Sequence, residues 1–181
     1  LVKNDKKMAI FGYILIGLVA LSLFSIMWAN LSLAPWVPMW SRDKKRVFAL
    51  AGLKAGENFY DLGCGNGKIV VYAAKHFDVR ATGIELAFPL YAACKLRQIF
   101  AGNRNIIFKF GDLFKEDLSG ADVVYVYGMP KVLKNKLKEK LERELKPGAR
   151  VVSYVFKIDG WQPAAVDKPD ERSVPIYLYV S

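Results

Sequence analysis

Residues 59–75 read FYDLGCGNGKIVVYAAK: an apolar run closing on an acid, glycines at 63, 65 and 67, and then a helical pattern. A chain built this way is held to a strand–loop–helix unit whose loop lies open at the carboxyl end of the strand, because the glycines let the backbone turn tightly and approach a ligand closely. The same alternation continues downstream. Strands are predicted over 58–62, 79–86, 105–110, 122–128 and 149–156. Helices are predicted over 42–53, 67–77, 89–101 and a stretch with leucines at 133, 137, 141 and 145. WQPAAVD and PIYLYV (175–180) read as two further short strands close together. Short apolar strands alternating with helices imply a doubly wound, mostly parallel α/β sheet of seven strands, and 181 residues leave room for one such domain.

In such a sheet the first loop selects the ligand. A dinucleotide fingerprint would need a glycine where Lys68 stands, and the chain offers D-x-G-x-G-x-G instead. Asp61 would repel a pyrophosphate, whereas it suits the ammonium of S-adenosylmethionine, with Gly63, Cys64, Gly65 and Gly67 forming the loop around it. Glu85 closes the second strand, where a carboxylate can accept from both ribose hydroxyls, with Leu86 beside it. Asp112 follows the third strand and is placed to accept from the adenine amino group, Leu113 adding a backbone N–H and an apolar wall. Three acids at the ends of consecutive strands predict S-adenosylmethionine as cofactor and a methyltransferase as the enzyme.

Two cysteines and one histidine, His76, offer neither a disulfide framework nor a metal-ligand spacing, so no metal is expected. The net charge of +10 favours an anionic partner: nucleic acid, an acidic membrane surface or an acidic protein. Residues 131–146 carry seven basic and three acidic side chains, which suits anionic lipid or an acidic substrate loop as well as a simply solvated face.

Residues 8–41 contain no charged side chain. MAIFGYILIGLVALSLFSIMW (8–28) has the length that crosses a hydrocarbon core as a helix, with KNDKK before it, RDKKR after it and Trp28, Trp36 and Trp40 near its exit. A cleaved signal with processing near Ser32-Leu33-Ala34 is the rival reading, but the run is long for a signal. The chain thus divides into a membrane anchor (1–32), a proline/tryptophan segment (33–46) and a catalytic domain (47–181). The denser RDKKR cluster favours a cytoplasmic domain, on a prokaryotic inner membrane or, in a eukaryote, the mitochondrial one.

Over roughly residues 45–181 the sequence resembles the class I S-adenosylmethionine-dependent methyltransferases, and in particular the membrane-anchored protein-lysine methyltransferases of the ATP synthase c subunit and adenine nucleotide translocase type. The resemblance rests on the apolar anchor, APWVPMW, DLGCGNGK, GIEL, GDLF, VYGMP and VVSYVF…GWQP. It implies a lysine acceptor on a membrane-associated protein. The acceptor site is expected past the fourth strand at Tyr127, Gly128, Met129 and Pro130, with Pro35 and Trp36 as a lid and no general base assigned. Alternatives are a lipid or quinone head group, RNA, or a cofactor-binding scaffold without turnover. Against RNA stands the lack of an aromatic–basic stacking motif or appended RNA domain.

Overall fold

The computed structural model describes residues 2–181, excepting the side chains of residues 2–5 and 9. Helix α1 (Val2–Ser32) precedes α2 (Ser41–Ala51), β1 (Asn58–Leu62), α3 (Lys68–Phe77), β2 (Arg80–Glu85), α4 (Phe88–Ala101) and β3 (Ile106–Phe110). A 3₁₀ turn (Leu113–Lys115) and β4 (Val123–Val126) follow. Then come α5 (Pro130–Val132), a π-helical turn (Leu133–Leu137), α6 (Lys138–Glu144), β5 (Arg150–Tyr154), β6 (Ala165–Asp167) and β7 (Ile176–Val180). The seven strands lie in the order β3-β2-β1-β4-β5-β7-β6; the first five are parallel, and β7 runs antiparallel to both β5 and β6. The two short C-terminal strands therefore form a hairpin whose second strand inserts beside β5.

Two apolar layers sandwich the sheet. On one face Phe59, Val123, Tyr125 and Val152 meet Val47 and Phe48 of α2, Val70 and Ala73 of α3 and Cys94 of α4. On the other, Leu62, Val124, Val126 and Val151 meet the predicted leucine stripe, Leu133, Leu137, Leu141 and Leu145. That stripe runs through a π turn. Its i, i+4 leucines stay in line, and three of the four are fully buried.

Both central strands stop short of their predicted ends. Tyr127 and Gly128 leave the β4 ladder because Met129 N–H donates to Leu33 O (3.0 Å), docking the segment after α1 onto the domain. Strand β5 ends where Val155 adopts φ 73°, an unusual conformation for a β-branched residue. The Val155 N–H turns to Pro175 O (2.9 Å), and Ser153 Oγ donates to Phe156 O (2.6 Å).

Helix α2 is stitched to the hairpin. Arg46 donates to Asp43 Oδ1 (3.0 Å), to Asp167 Oδ1 through Nε (2.8 Å) and to Val174 O (3.0 Å). Two members of the charged cluster expected to flank a membrane thus turn inward, Asp43 being buried. Helix α1 stands apart: residues 6–32 form a helix long and apolar enough to cross a membrane, by length and composition, and its apolar side chains from Met8 to Leu31 are mostly exposed.

Candidate active site

One cavity opens at the carboxyl ends of β1, β2 and β4, where strand order reverses between β1 and β4. Asp61, Gly63, Cys64, Glu85, Leu86, Asp112 and Leu113 line it, as do Tyr127 and the predicted lid residues Pro35 and Trp36. Gly65 and Gly67 lie behind the wall and shape it. Gly65 has φ 56°, and a Cβ there would collide with the indole of Trp36. Gly67 has φ 74°, and a Cβ there would meet Phe108 and Cys94. The loop is clamped from α4: Arg97 Nε donates to Asn66 O (2.9 Å) and Cys94 Sγ to Gly65 O (3.1 Å).

The three strand-end acids have different surroundings. Asp61 is 2% exposed, and burial, with the like charge of Glu85 adding to it, pushes its carboxyl well above the usual carboxylate range. Glu85 accepts from Gly65 N–H (2.7 Å) and from Ala87 N–H (2.7 Å), tying the glycine loop to the end of β2. Burial raises its pKa too, and the backbone donors hold part of that rise back. Asp112 caps the 3₁₀ turn, Oδ1 accepting from Phe114 N–H (2.9 Å), so its second oxygen is the one available to a ligand.

These features fit S-adenosylmethionine. A buried carboxylate on a cavity wall, acted on only by a charge of its own sign, is costly until a cation meets it, and the cofactor carries an ammonium. The glycine cradle leaves the space that side chains would fill. On its far side the cavity is walled by Tyr125 and Tyr127, and Tyr125 stands opposite Asp61 in the β1–β4 register. Burial pushes the Tyr125 hydroxyl well up, so it is a neutral phenol. Behind them Tyr154 packs its ring 6.0 Å from Tyr127 and donates to Asp43 Oδ2 (2.8 Å). Gly128, Met129 and Pro130 lie outside the lining: a Cβ at Gly128 would meet Leu33 and Leu133, so this turn seats the segment after α1.

Sequence reasoning did not single out Tyr125, Tyr154 or Asp43, and of the Ala29–Met39 wall it named only Pro35 and Trp36. The alternation in VVYVYG puts Tyr125 and Tyr127 on one face and could have found the first. Nothing local announces that Asp43, in a charged run, is turned into the core. His76 is a helix-end residue, Nδ1 lying 3.0 Å from Tyr72 O.

The sequence profile described as the ANTKMT methyltransferase domain matches residues 61–165. A protein-lysine N-methyltransferase of Saccharolobus islandicus is 38% identical over 151 residues, 81% of this chain and 92% of that protein. The adenine nucleotide translocase lysine N-methyltransferase of Mus musculus is 37% identical over 73% of this chain, which spans 57% of the mouse protein's length. The structure of an RNA methyltransferase from Salinibacter ruber with S-adenosyl-L-homocysteine superposes with a TM-score of 0.75 at 34% identity, covering 80% of this chain and 93% of that one.

Proposed function

Because the chain belongs to the ANTKMT methyltransferase family, we propose that it moves a methyl group from S-adenosylmethionine to the side-chain amine of a lysine, on a protein that presents this lysine at a membrane surface. The chain is an S-adenosylmethionine-dependent methyltransferase; the lysine acceptor and the membrane setting are the proposal. The observation that carries the acceptor is the protein-lysine N-methyltransferase match, which spans 92% of the relative and leaves little of it unaccounted for.

When bound, the cofactor supplies a methyl group already activated on a sulfonium. The residues of this chain therefore have three tasks: to bind it, to orient the acceptor and to keep water out. Asp61 would neutralise its ammonium, and Glu85 and Asp112 would accept from its hydroxyls and its adenine amine. Tyr125 and Tyr127 form the far wall of the cavity, where the acceptor would be oriented. A lysine, with an ordinary pKa of about 10.4, must enter neutral. A wall that excludes water disfavours the ammonium by desolvation, and the tyrosines offer phenolic oxygens to hold the amine. Residues 33–40 close the remaining side.

Helix α1 supports the membrane setting through its length, its exposed apolar surface and the tryptophans after it. RNA is the second reading, favoured by the likeness to the Salinibacter RNA methyltransferase and by the net charge of +10. The two separate in one experiment: the full chain is incubated with methyl-labelled cofactor and source membranes, and protein, lipid and RNA fractions are counted. Label in protein that hydrolyses to methyl-lysine is the expected result; label confined to RNA or lipid overturns the acceptor assignment.

A further inference from the structure

Among residues 41–181, nine large apolar side chains are exposed, and six of them lie on α4 and the edge strand β3: Phe88, Leu96, Ile99, Phe100 and Phe110 on the side of α4, and Ile107 on the other side of the strand. The other three, Met129, Val166 and Val180, lie singly elsewhere. Phe100 is 86% exposed and Ile99 71%, at the end of α4 remote from the cavity. On α4 the four exposed residues fall within about a third of the helix circumference, at 100° per residue. A soluble surface rarely concentrates apolar side chains in this way without a partner.

The same region has a one-sided charge. From Leu86 to Gly111 there is no acidic residue, and four basic ones are present, of which Lys95, Arg104 and Lys109 are exposed. The opposite edge of the sheet is mixed: the β6–β7 connection carries exposed Asp170 and Glu171 beside exposed Lys168 and Arg172. Lys109 is ion-paired to Glu116, which leaves Lys95 and Arg104 as the cations beside the rings. Apolar side chains flanked by such cations match an anionic lipid surface, where the rings enter the interface and the cations stay among the headgroups.

Helix α1 fixes which surface this is. Ser25 Oγ accepts from Phe88 N–H (2.9 Å), so the start of α4 is held at the last turns of the apolar helix. Phe88 stacks edge-on with Phe110 (5.9 Å), and Tyr91 packs on Phe110 (5.3 Å), extending the contact from α1 to the edge strand. From Trp28, at the end of the apolar run, to Leu33, on the cavity wall, is five helical residues, about 7.5 Å at 1.5 Å each. The cavity thus lies close to the plane at which α1 would leave a bilayer.

We propose that the exposed face of α4 and β3 is a second membrane contact, lying on anionic lipid beside α1 and holding the cavity at the level of the headgroups. The inference rests on the reading of α1 as a membrane span. It deepens the proposed function by restricting the acceptor to lysines close to the bilayer surface, since a domain held at two points cannot swing outward to reach distant ones.

The test uses the full chain in vesicles of mixed phosphatidylcholine and phosphatidylserine, with an environment-sensitive fluorophore on Phe100→Cys, Leu18→Cys or Glu171→Cys. Cys64 and Cys94 are buried and stay unlabelled. With nitroxide-bearing lipid, emission from position 100 should fall about twofold, as for a group seated ~5–10 Å into the headgroup–acyl boundary. Emission from position 171 should not change, while position 18 reports the span itself. Quenching at 18 without quenching at 100 overturns the second contact and leaves the anchor standing. Quenching at neither removes the membrane reading and this inference together. Position 100 shielded from aqueous iodide but not quenched by lipid overturns it in favour of a protein partner.

Discussion

The two halves of the sheet meet at the cavity with opposite chemistry. Strands β1, β2 and β3 end in carboxylates, Asp61, Glu85 and Asp112, while β4 and β5 bring tyrosines, Tyr125, Tyr127 and Tyr154. In the proposed function the carboxylate half holds the cofactor by charge and by hydrogen bonds to fixed backbone. The tyrosine half is the proposed acceptor half and would work by shape and neutrality, and its positioning comes from elements distant in sequence: Asp43 of α2 holds Tyr154, and Leu33 holds the turn after β4. A site that must pair the cofactor's ammonium and strip the charge from the acceptor's needs this division. One set of carboxylates serving both would hold the lysine as an ammonium.

The largest effect is expected from Asp61→Asn. Removing the only charge placed for the ammonium should lower S-adenosylmethionine affinity at least about a hundredfold, in line with the ~3–5 kcal/mol lost when a buried pair is broken. Stability should move the other way. Burial raises the folded-state pKa of Asp61 above its unfolded value, so the folded state holds this proton more tightly. Its contribution is fully present below the unfolded pKa and is lost as pH rises through the folded one. Above the folded-state pKa the ligand-free wild type bears a buried ionised carboxylate that asparagine removes, and there the variant should melt no lower. Calorimetric titration and thermal melting check both. A lower Tm with intact affinity would show that Asp61 is a structural residue. The same shift predicts that cofactor affinity falls as pH drops through the raised value, with a proton released on binding.

Next comes Glu85→Gln. The carboxylate accepts from two backbone N–H groups, and an amide can accept with only one of its atoms, so one donor faces an NH₂. Affinity should fall about thirtyfold, roughly 2 kcal/mol, with the maximal rate of methyl transfer nearly unchanged at saturating cofactor. A large drop in that rate would place Glu85 in the acceptor half.

The difference between the halves also governs how far the sequence could be read. Asp61, the glycine loop, Glu85 and Asp112 are each consecutive with a strand, so a local pattern and the rule about carboxyl ends of strands suffice to bring them together. The parallel order and the closing hairpin follow the same local logic. The acceptor half depends on contacts between residues far apart in the chain, such as Tyr154 with Asp43 and Met129 with Leu33, and no spacing encodes them. VYGMP was legible as the end of β4 and an expected acceptor wall, but whether its residues face the cavity or seat Leu33 depends on where α1 ends. The early stop of β5 was hidden too, since a valine at φ 73° is what local propensity argues against.

Trp36→Ala sharpens the comparison from the segment that straddles both halves. The indole covers Gly65 and lines the cavity, so its loss admits water and loosens the acceptor. Methylation should fall about tenfold, the scale set by mispositioning, while cofactor affinity changes by about twofold or less. Equal loss of both in a titration would reject the lid and make Trp36 part of the cofactor wall.

The smallest expected effect is the finest test of the acceptor half. Tyr154→Phe removes one hydroxyl and leaves the ring that packs on Tyr127, so what changes is the bond to Asp43. Asp43 keeps Arg46 as a partner, and its carboxylate is therefore not orphaned; stability should drop by about 1 kcal/mol, the usual net value of one hydrogen bond. Cofactor affinity should be unaffected, because no strand-end acid touches Tyr154. Methyl transfer to lysine should slow about threefold through the looser Tyr127 wall, a positioning effect. Steady-state kinetics at saturating cofactor, paired with a melt, separates the outcomes. An unchanged rate with lowered stability would confine the Asp43–Tyr154 pair to holding α2 on the sheet, and the acceptor wall would then reduce to β4 alone.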